Sequence, residues 1–365
     1  MTLPDTTLDT TLPATTTTTA WQALSAAAAD PHAHAPLGRS SHSANVVGDC
    51  LYVFGGENVP RVPIDACLHV LDLKAKVWTV VEPTAEAPTP RVGHSTAVIG
   101  DKIYLFGGRS GAEQAPLDDF YSFDTAARKW TRIINHAGTG SVLPAARSYF
   151  SMASSADHIY LFGGCPASGG RSNDLYRYDP RTRIWEHLAS HPAIVPRGGA
   201  GLAVLRGKVY LHGGYDGQHE RDDLWAYDIA SGKWENLDVP AGAAKPAARS
   251  VHGLAALNTR GGGGVIVCLL GERGPSPGGH VGAGSYFGDA WLFAPPPPSP
   301  PPTADSSRRQ SGIVWHETHP HAASPEDRPS PRGWFPVAVW GDDKLIVHGG
   351  FTGETRDNGV YIFSL

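Results

Sequence analysis

The sequence has no long apolar run, no closely spaced cysteine pair and no surplus of positive charge. It contains no stretch of about 18 apolar residues that would span a bilayer, which argues against a membrane protein. A net charge of −5 provides no basic surface for nucleic acid. The four cysteines form no CxxC pair and lie mostly in apolar runs: Cys50, Cys67, Cys165 and Cys268. We therefore expect buried thiols in a reducing compartment, and neither a disulfide framework nor a zinc site.

The N-terminal segment lacks the features of a secretion signal. Residues 1–19 are rich in threonine and have neither a positively charged start nor an apolar centre. We interpret them as a disordered tail. Together with the unpaired cysteines, this predicts a cytoplasmic protein.

What is abundant in the sequence favours an all-β protein. The chain holds 43 Gly, 31 Pro and 10 Trp, with only 18% charged residues, which is typical of many short strands joined by turns. One unit recurs six times at intervals of about 50 residues. It starts at an arginine, continues through an apolar run that ends in glycine, and closes at a tryptophan. The opening arginines are Arg39, Arg91, Arg147, Arg197, Arg249 and Arg332.

This repeat is similar to the kelch repeat, and it predicts a six-bladed β-propeller of four-stranded blades. The closing tryptophans of five units are Trp78, Trp130, Trp185, Trp234 and Trp315. The sixth unit ends at "YIFSL" without one, and "TAWQAL" near the N-terminus offers the missing strand with Trp21. A strand borrowed from the other terminus would close the ring and leave no exposed edge. The propeller is expected to occupy residues 20–365.

One insertion interrupts the repeat. Residues 294–312 of the fifth unit contain "PPPPSPPPTADSSRRQSG", which is incompatible with a sheet strand. We expect an extended or disordered surface loop there, serving as a spacer or as a ligand for a proline-recognition domain.

Loops that follow the second strand of each blade should emerge on one face, because neighbouring strands are antiparallel. The residue after the glycine of each unit is then part of a ring: Glu57, Arg109, Cys165, Tyr215, Glu272 and Phe351. The same loops add Arg171, Asp216, His219 and His280. Such a ring at one end of the axis is a typical place for a binding pocket.

Residues that recur at the same position of the repeat are expected to be structural, whereas residues found in a single loop are candidates for binding. The six arginines recur in every unit, so we expect them to bind loop carbonyls or aspartates. His42, His94 and His252 occupy equivalent positions and are expected to be hydrogen-bonded structural groups. Arg109 and Arg171 belong to single loops, and residue type alone leaves surface salt bridges and anion binding equally open.

The fifth loop, "GERGPSPGGHVGAG", contains Glu272 and His280. A carboxylate and an imidazole are ligands for a divalent transition metal, although iron(II) normally takes a third protein ligand. Ser276, which lies midway, is a poor ligand. The residues alone therefore leave open a metal site or an ordinary loop whose histidine caps a turn.

Four stretches together carry a family resemblance: "GGENVPRVPIDACLHVLDLKAKVW", "LFGGRSGAEQAPLDDFYSFDTAARKW", "GERGPSPGGHVGAG" and "PSPRGWFPVAVWGDDKLIVHGG". They resemble the specifier proteins of glucosinolate breakdown over roughly residues 36–365. In that family the fifth loop holds iron(II) through Glu, Asp and His in an ExxxDxxxH pattern. This chain has Glu272 and His280 at the same separation but Ser276 in place of the aspartate, which puts the metal in doubt.

The resemblance also implies a substrate site. Arg109 and Arg171 match arginines that contact a substrate sulfate, and Trp334 matches an aromatic residue that shapes the pocket. The implied activity is iron(II)-dependent diversion of a thiohydroximate O-sulfate, or a related sulfur-containing small molecule, to a nitrile-type product. The alternative is a kelch module that binds a protein without catalysis.

Overall fold

The structure is a computed structural model, and it describes residues 18–24, 35–111, 113, 115–134, 140–240, 242–259, 263–274, 284–295 and 314–365. Six four-stranded antiparallel sheets confirm the six-bladed propeller. The first strands of successive blades neighbour one another around the central axis. Among these residues the helical element is a single 3-10 turn, Pro325–Asp327.

The strands of the first three blades are Ser43–Val47, Cys50–Phe54, Leu68–Asp72 and Val77–Val81; Ser95–Ile99, Lys102–Phe106, Phe120–Asp124 and Lys129–Arg132; and Ser151–Ser154, Ile159–Phe162, Leu175–Asp179 and Ile184–Leu188. Those of the last three are Gly201–Leu205, Lys208–His212, Leu224–Asp228 and Lys233–Asn236; Gly253–Asn258, Gly264–Leu269, Ala290–Phe293 and Trp315–Thr318; and Val337–Trp340, Lys344–Phe351, Arg356–Ser364 and Ala20–Ala23.

The ring closes through the N-terminal strand, as the sequence predicts. Ala20–Ala23 pairs antiparallel with Arg356–Ser364, and Trp21 lies opposite Phe363 with ring centroids 5.3 Å apart. The preceding Thr19 is also buried, and its hydroxyl contacts that of Thr318. The predicted tail lies outside the described residues up to residue 17, and so does the insert from residue 296 to 312.

Each closing tryptophan packs against the preceding blade. Trp130 lies 5.5 Å from Phe54 and Trp185 lies 5.8 Å from Phe106, where both partners end the second strand of the blade before. Trp315 contacts His212 in the same way. The tryptophans therefore fill the spaces between blades, where apolar burial stabilises the ring.

The opening arginines have the predicted structural role. All six are almost fully buried, and each donates from Nη1 to a carbonyl at the end of the second strand of its own blade. Four also form a close ion pair with an aspartate at or just before the start of the third strand, as in Arg197 with Asp223. Such charged pairs hold the start of the repeat against the loop that carries the ring residues.

The three repeated histidines are buried and hydrogen-bonded, also as expected. His42 contacts His348 at 2.8 Å, His94 contacts Ser43 at 2.9 Å and His252 contacts His212 at 3.2 Å. Burial lowers the pKa of His94 to about 3, so this imidazole is neutral in the folded protein.

The cysteines agree only partly with the prediction. All four are free thiols, but Cys268 alone is fully buried, and Cys50, Cys67 and Cys165 are half-buried. The expectation of burial is wrong for these three because they lie at a strand start or in loops. Within the described part of the chain, no helix is both long and apolar enough to cross a membrane.

Candidate functional site

The six residues that follow the glycines line one pocket of about 260 Å³ at the end of the axis. Each of them pairs by a short β-bridge or hairpin with the residue after an opening arginine, as in Ser40 with Glu57 and Ser250 with Glu272. The predicted common face is confirmed, because the bridges repeat in every blade and point the ring residues inward. The ring residues are Glu57, Arg109, Cys165, Tyr215, Glu272 and Phe351.

The floor of this pocket is a closed ring of backbone hydrogen bonds. The second residue after each opening arginine donates its N–H to the carbonyl of the equivalent residue in the preceding blade, at 2.7–3.1 Å. These six residues all have left-handed φ angles of 47–63°. They are Ser41, Gly93, Tyr149, Gly199, Val251 and Trp334. Strained backbone of this kind is concentrated at functional sites, and here it fixes the side chains of Tyr149, Val251 and Trp334 in the pocket wall.

Three arginines bring positive charge to the pocket. Arg109 donates from Nε to Ser148 Oγ at 2.7 Å. Arg171 stacks on the ring of Tyr215 at 4.7 Å, and no carboxylate of the described residues lies within ion-pair distance of it. Arg356 is paired with Glu57 at 3.0 Å. Arg171 therefore has an aromatic neighbour in place of the surface salt bridge that its residue type allowed, and its charge faces the pocket.

Glu272 is buried at the pocket wall with 3% of its surface exposed. Its carboxylate accepts hydrogen bonds from Trp334 Nε1 at 3.0 Å and from the Tyr286 hydroxyl at 3.4 Å. No lysine or arginine of the described residues pairs with it, in contrast to Glu57. Burial raises the pKa of Glu272, against the opposing effect of the Trp334 hydrogen bond, and the charge of Glu220 raises it further.

Glu220 brings a second carboxylate towards the same region. It lies in the fourth loop, where it pairs by a β-bridge with Tyr215. Its Oε1 atom is buried and has no hydrogen-bond partner among the residues that the structure describes. The charge of Glu220 acts on the buried Glu272 carboxylate, so the two acidic groups lie close enough to interact, and a cation would offset their repulsion.

Aromatic rings complete the wall. Trp334 meets Tyr149 edge to face with centroids 5.6 Å apart, and Tyr286 meets Phe351 at 6.1 Å. Burial raises the pKa of Tyr149, so its hydroxyl stays protonated at neutral pH. The pocket thus joins cationic, anionic and aromatic surfaces around a volume suited to a small molecule.

Known proteins with related sequences or folds agree with this architecture. Residues 41–261 match the model of the KLHDC2/KLHL20/DRC7 Kelch-repeats domain. The chain is 30% identical to N-(sulfonatooxy)prop-2-enimidothioate sulfolyase of Thlaspi arvense, over 90% of this chain and 93% of the relative. It is 28% identical to Kelch domain-containing protein 3 of Homo sapiens over 56% of this chain and 55% of that one. The solved structure of YjhT superposes with a TM-score of 0.66 at 16% identity, covering 90% of this chain and 95% of YjhT.

The chain belongs to the kelch-repeat specifier proteins. The likeness to YjhT extends to the fold alone, whereas the match to the sulfolyase runs through nearly the whole propeller.

In this specifier-type protein, the predicted site residues fall into three groups. Arg109, Arg171, Glu272 and Trp334 lie together in the pocket. His280 and Ser276 lie outside the described residues, so their predicted roles stay predictions. Asp216 and His219, which were also expected at the ring, do not line the described pocket. Asp216 instead accepts hydrogen bonds from the backbone N–H groups of Gln218 and His219 in its own loop.

Sequence reasoning missed other members of the specifier-type pocket. Tyr149 and Val251 occupy the same repeat position as Trp334, two residues after the opening arginine, so the repeat register was a signal that could have found them. Arg356, Tyr286 and Glu220 each pair with the ring residue of their own loop, so the returning side of each loop was the place to look for them.

Proposed function

We propose that this protein is an iron(II)-dependent specifier-type lyase that diverts a thiohydroximate O-sulfate, or a related sulfur-containing small molecule, to a nitrile-type product. The observation that carries the proposal is the meeting of Arg109, Arg171, Glu272 and Trp334 in one pocket. A relative named as a sulfolyase, whose substrate carries both a sulfate ester and a thioate sulfur, supports this chemistry.

The sulfate end of the substrate would lie against the arginines. A guanidinium group donates paired N–H groups to oxyanions, and Arg171 keeps its charge at the pocket without a carboxylate partner among the described residues. Arg109 is oriented from behind by Ser148. These cations would stabilise the negative charge that develops as the sulfate leaves.

The donor set fits a divalent cation. Glu272 supplies a buried carboxylate that lacks a cationic partner in the described structure, and Glu220 supplies a second carboxylate that could replace the aspartate missing at Ser276. His280 would add the imidazole. When bound, iron(II) would supply a Lewis acid for the thiolate sulfur. Trp334 holds Glu272 in place through its indole N–H, so this residue links the aromatic wall to the ligand.

The aromatic groups shape the pocket and exclude water from it. The Tyr149 and Trp334 rings would form an apolar wall for the variable side chain of the substrate. Nitrile formation breaks the N–O bond, with the electron pair leaving on sulfate, and the C–S bond, whose electron pair stays with the new nitrile. The reaction needs no external oxidant, because the thiolate sulfur departs as neutral sulfur.

The test is product analysis in the presence of a thioglucosidase that releases the unstable substrate from allyl glucosinolate. With iron(II), wild-type protein should shift the product from isothiocyanate to nitrile, as measured by gas chromatography. Glu272→Gln and Arg171→Ala should remove the shift, while Arg181→Ala, on an arginine that is 73% exposed, should leave it intact. Identical product ratios with and without wild-type protein would reject the proposal and favour a protein-binding role for the loop face.

A further inference from the structure

A second cluster of metal-binding side chains lies between the fourth and fifth blades. His212 ends the second strand of blade four, while His252 and Cys268 belong to blade five. Their ligand atoms lie within 4.8 Å of one another, with 3.2 Å between His212 Nδ1 and His252 Nε2 and 4.0 Å between Cys268 Sγ and His212 Nδ1. His212 and Cys268 are completely buried, and His252 is 7% exposed.

Comparison of the six blades shows which residues can occupy the position of Cys268. The boundary between blades six and one contains the same imidazole pair, His348 with His42. There the position of Cys268 is taken by Val53: Cys268 pairs with Leu254 as Val53 pairs with Ala44. The corresponding residues of the other four blades are aliphatic as well, namely Leu105, Leu161, Leu211 and Val347.

The fold therefore does not require a thiol at this position. A histidine pair is compatible with a branched aliphatic neighbour, as the boundary between blades six and one demonstrates. Only one of the six positions combines a thiol with two neutral imidazoles, and burial lowers the pKa of His212 to about 3. This set of one sulfur and two nitrogen donors is the kind that zinc prefers.

We propose that His212, His252 and Cys268 form a structural zinc site at the boundary between blades four and five. Zn–N bonds of about 2.0–2.1 Å and a Zn–S bond of about 2.3 Å place ligand atoms roughly 3.3–3.6 Å apart in a tetrahedral site. Side-chain movements of about 1 Å would close the cluster around an ion. Binding releases the thiol proton, and the resulting thiolate offsets one of the two positive charges of zinc.

The central channel offers an entry path and a fourth ligand. His252 lines a polar cavity of about 210 Å³ along the axis, together with His42, His94 and Ser95. The cluster supplies three protein ligands, so a water molecule that enters past His252 would have to complete a tetrahedral site. The site is separate from the loop-face pocket, whose lining contains none of the three ligands, and the inference does not depend on the proposed function.

The test uses cobalt(II) as a spectroscopic probe on the full-length, reduced, chelator-treated protein. Cobalt bound by a thiolate gives a near-ultraviolet charge-transfer band, which a site made of carboxylates and imidazoles lacks. Wild-type protein should show this band at one equivalent, and zinc should displace it. Zinc should also raise the Tm of the wild type.

Two variants copy residues that the fold already uses at these positions. Cys268→Val reproduces Val53. His252→Phe reproduces Phe150, because His252 and Phe150 both contact the first glycine of the preceding unit, Gly213 and Gly107. Both variants should lose the band and the zinc-dependent rise in Tm, and Glu272→Gln should keep them. Absence of the band in wild-type protein, or its persistence in Cys268→Val, would overturn the proposal, and the latter variant keeps the test valid if His252→Phe misfolds.

Discussion

Removal of the Asp223 carboxylate should destabilise the propeller much more than removal of the Asp65 carboxylate, although each of these aspartates pairs with the opening arginine of its blade. Arg197 donates two hydrogen bonds to Asp223, at 2.5 and 2.9 Å, and its guanidinium group is completely buried. Arg39 reaches Asp65 only at 3.4 Å, and the Asp65 side chain is 27% exposed. The prediction compares Asp223→Ala with Asp65→Ala.

The expected magnitudes follow from burial. Breaking a buried ion pair leaves an uncompensated charge and costs about 3–5 kcal/mol. A weak, partly exposed pair contributes at most about 1 kcal/mol. With an unfolding entropy of about 2.1 cal/mol/K per residue over 365 residues, a loss of about 4 kcal/mol lowers Tm by about 5 °C, and a loss of about 1 kcal/mol lowers it by about 1 °C.

Calorimetric melting of both variants beside the wild type measures the difference. Circular dichroism at low temperature checks that each variant still folds. Equal Tm values for the two variants would refute the argument, because they would mean that the geometry of the arginine–aspartate pair does not determine its contribution.

Three further predictions concern the pocket, the pH dependence of stability and ring closure. Arg109→Ala should raise the KM for the sulfated substrate about 10- to 150-fold, as expected for the loss of a charged hydrogen bond of about 1.5–3 kcal/mol, and an unchanged KM would remove Arg109 from sulfate binding. Because His94 has a folded pKa of about 3, the unfolded state protonates first as pH falls below about 6.5, and stability should drop by up to about 1.4 kcal/mol per pH unit. Urea titrations at several pH values should give a smaller slope for His94→Phe. Trp21→Ala should cost about 3–5 kcal/mol and detach the N-terminal strand, which limited proteolysis would detect as faster cleavage near residue 20.

The repeat made most of the fold predictable. The arginine, glycine and tryptophan positions recur with a common register, so the strands predicted for one unit could be predicted at the same positions of the other five. Strand closure by Trp21 followed from a missing tryptophan, because a propeller with an open blade would expose an edge. The half-buried cysteines were harder to predict, since apolar neighbours in the sequence do not distinguish a strand centre from its ends.

The site residues that occupy the same repeat position in each blade were predictable from the sequence. The ring from Glu57 to Phe351 follows one position per blade, and the structure brings its members into one pocket. Arg356 and Glu220 were missed because the ring was traced only through the residue directly after the glycine, whereas both lie five residues further on and pair back with it. The cluster with Cys268 was missed for another reason: its three ligands come from two blades, with spacings that match no linear zinc motif.

The most direct test of the central claim is anaerobic calorimetric titration of iron(II) into the Cys268→Val protein, where the second cluster has lost its thiol. One equivalent of iron should bind, and this binding should disappear in the Cys268→Val protein that also carries Glu272→Gln or His280→Ala. Binding that is absent from the parent protein, or unaffected by loss of the Glu272 carboxylate, would contradict an iron site on the loop face.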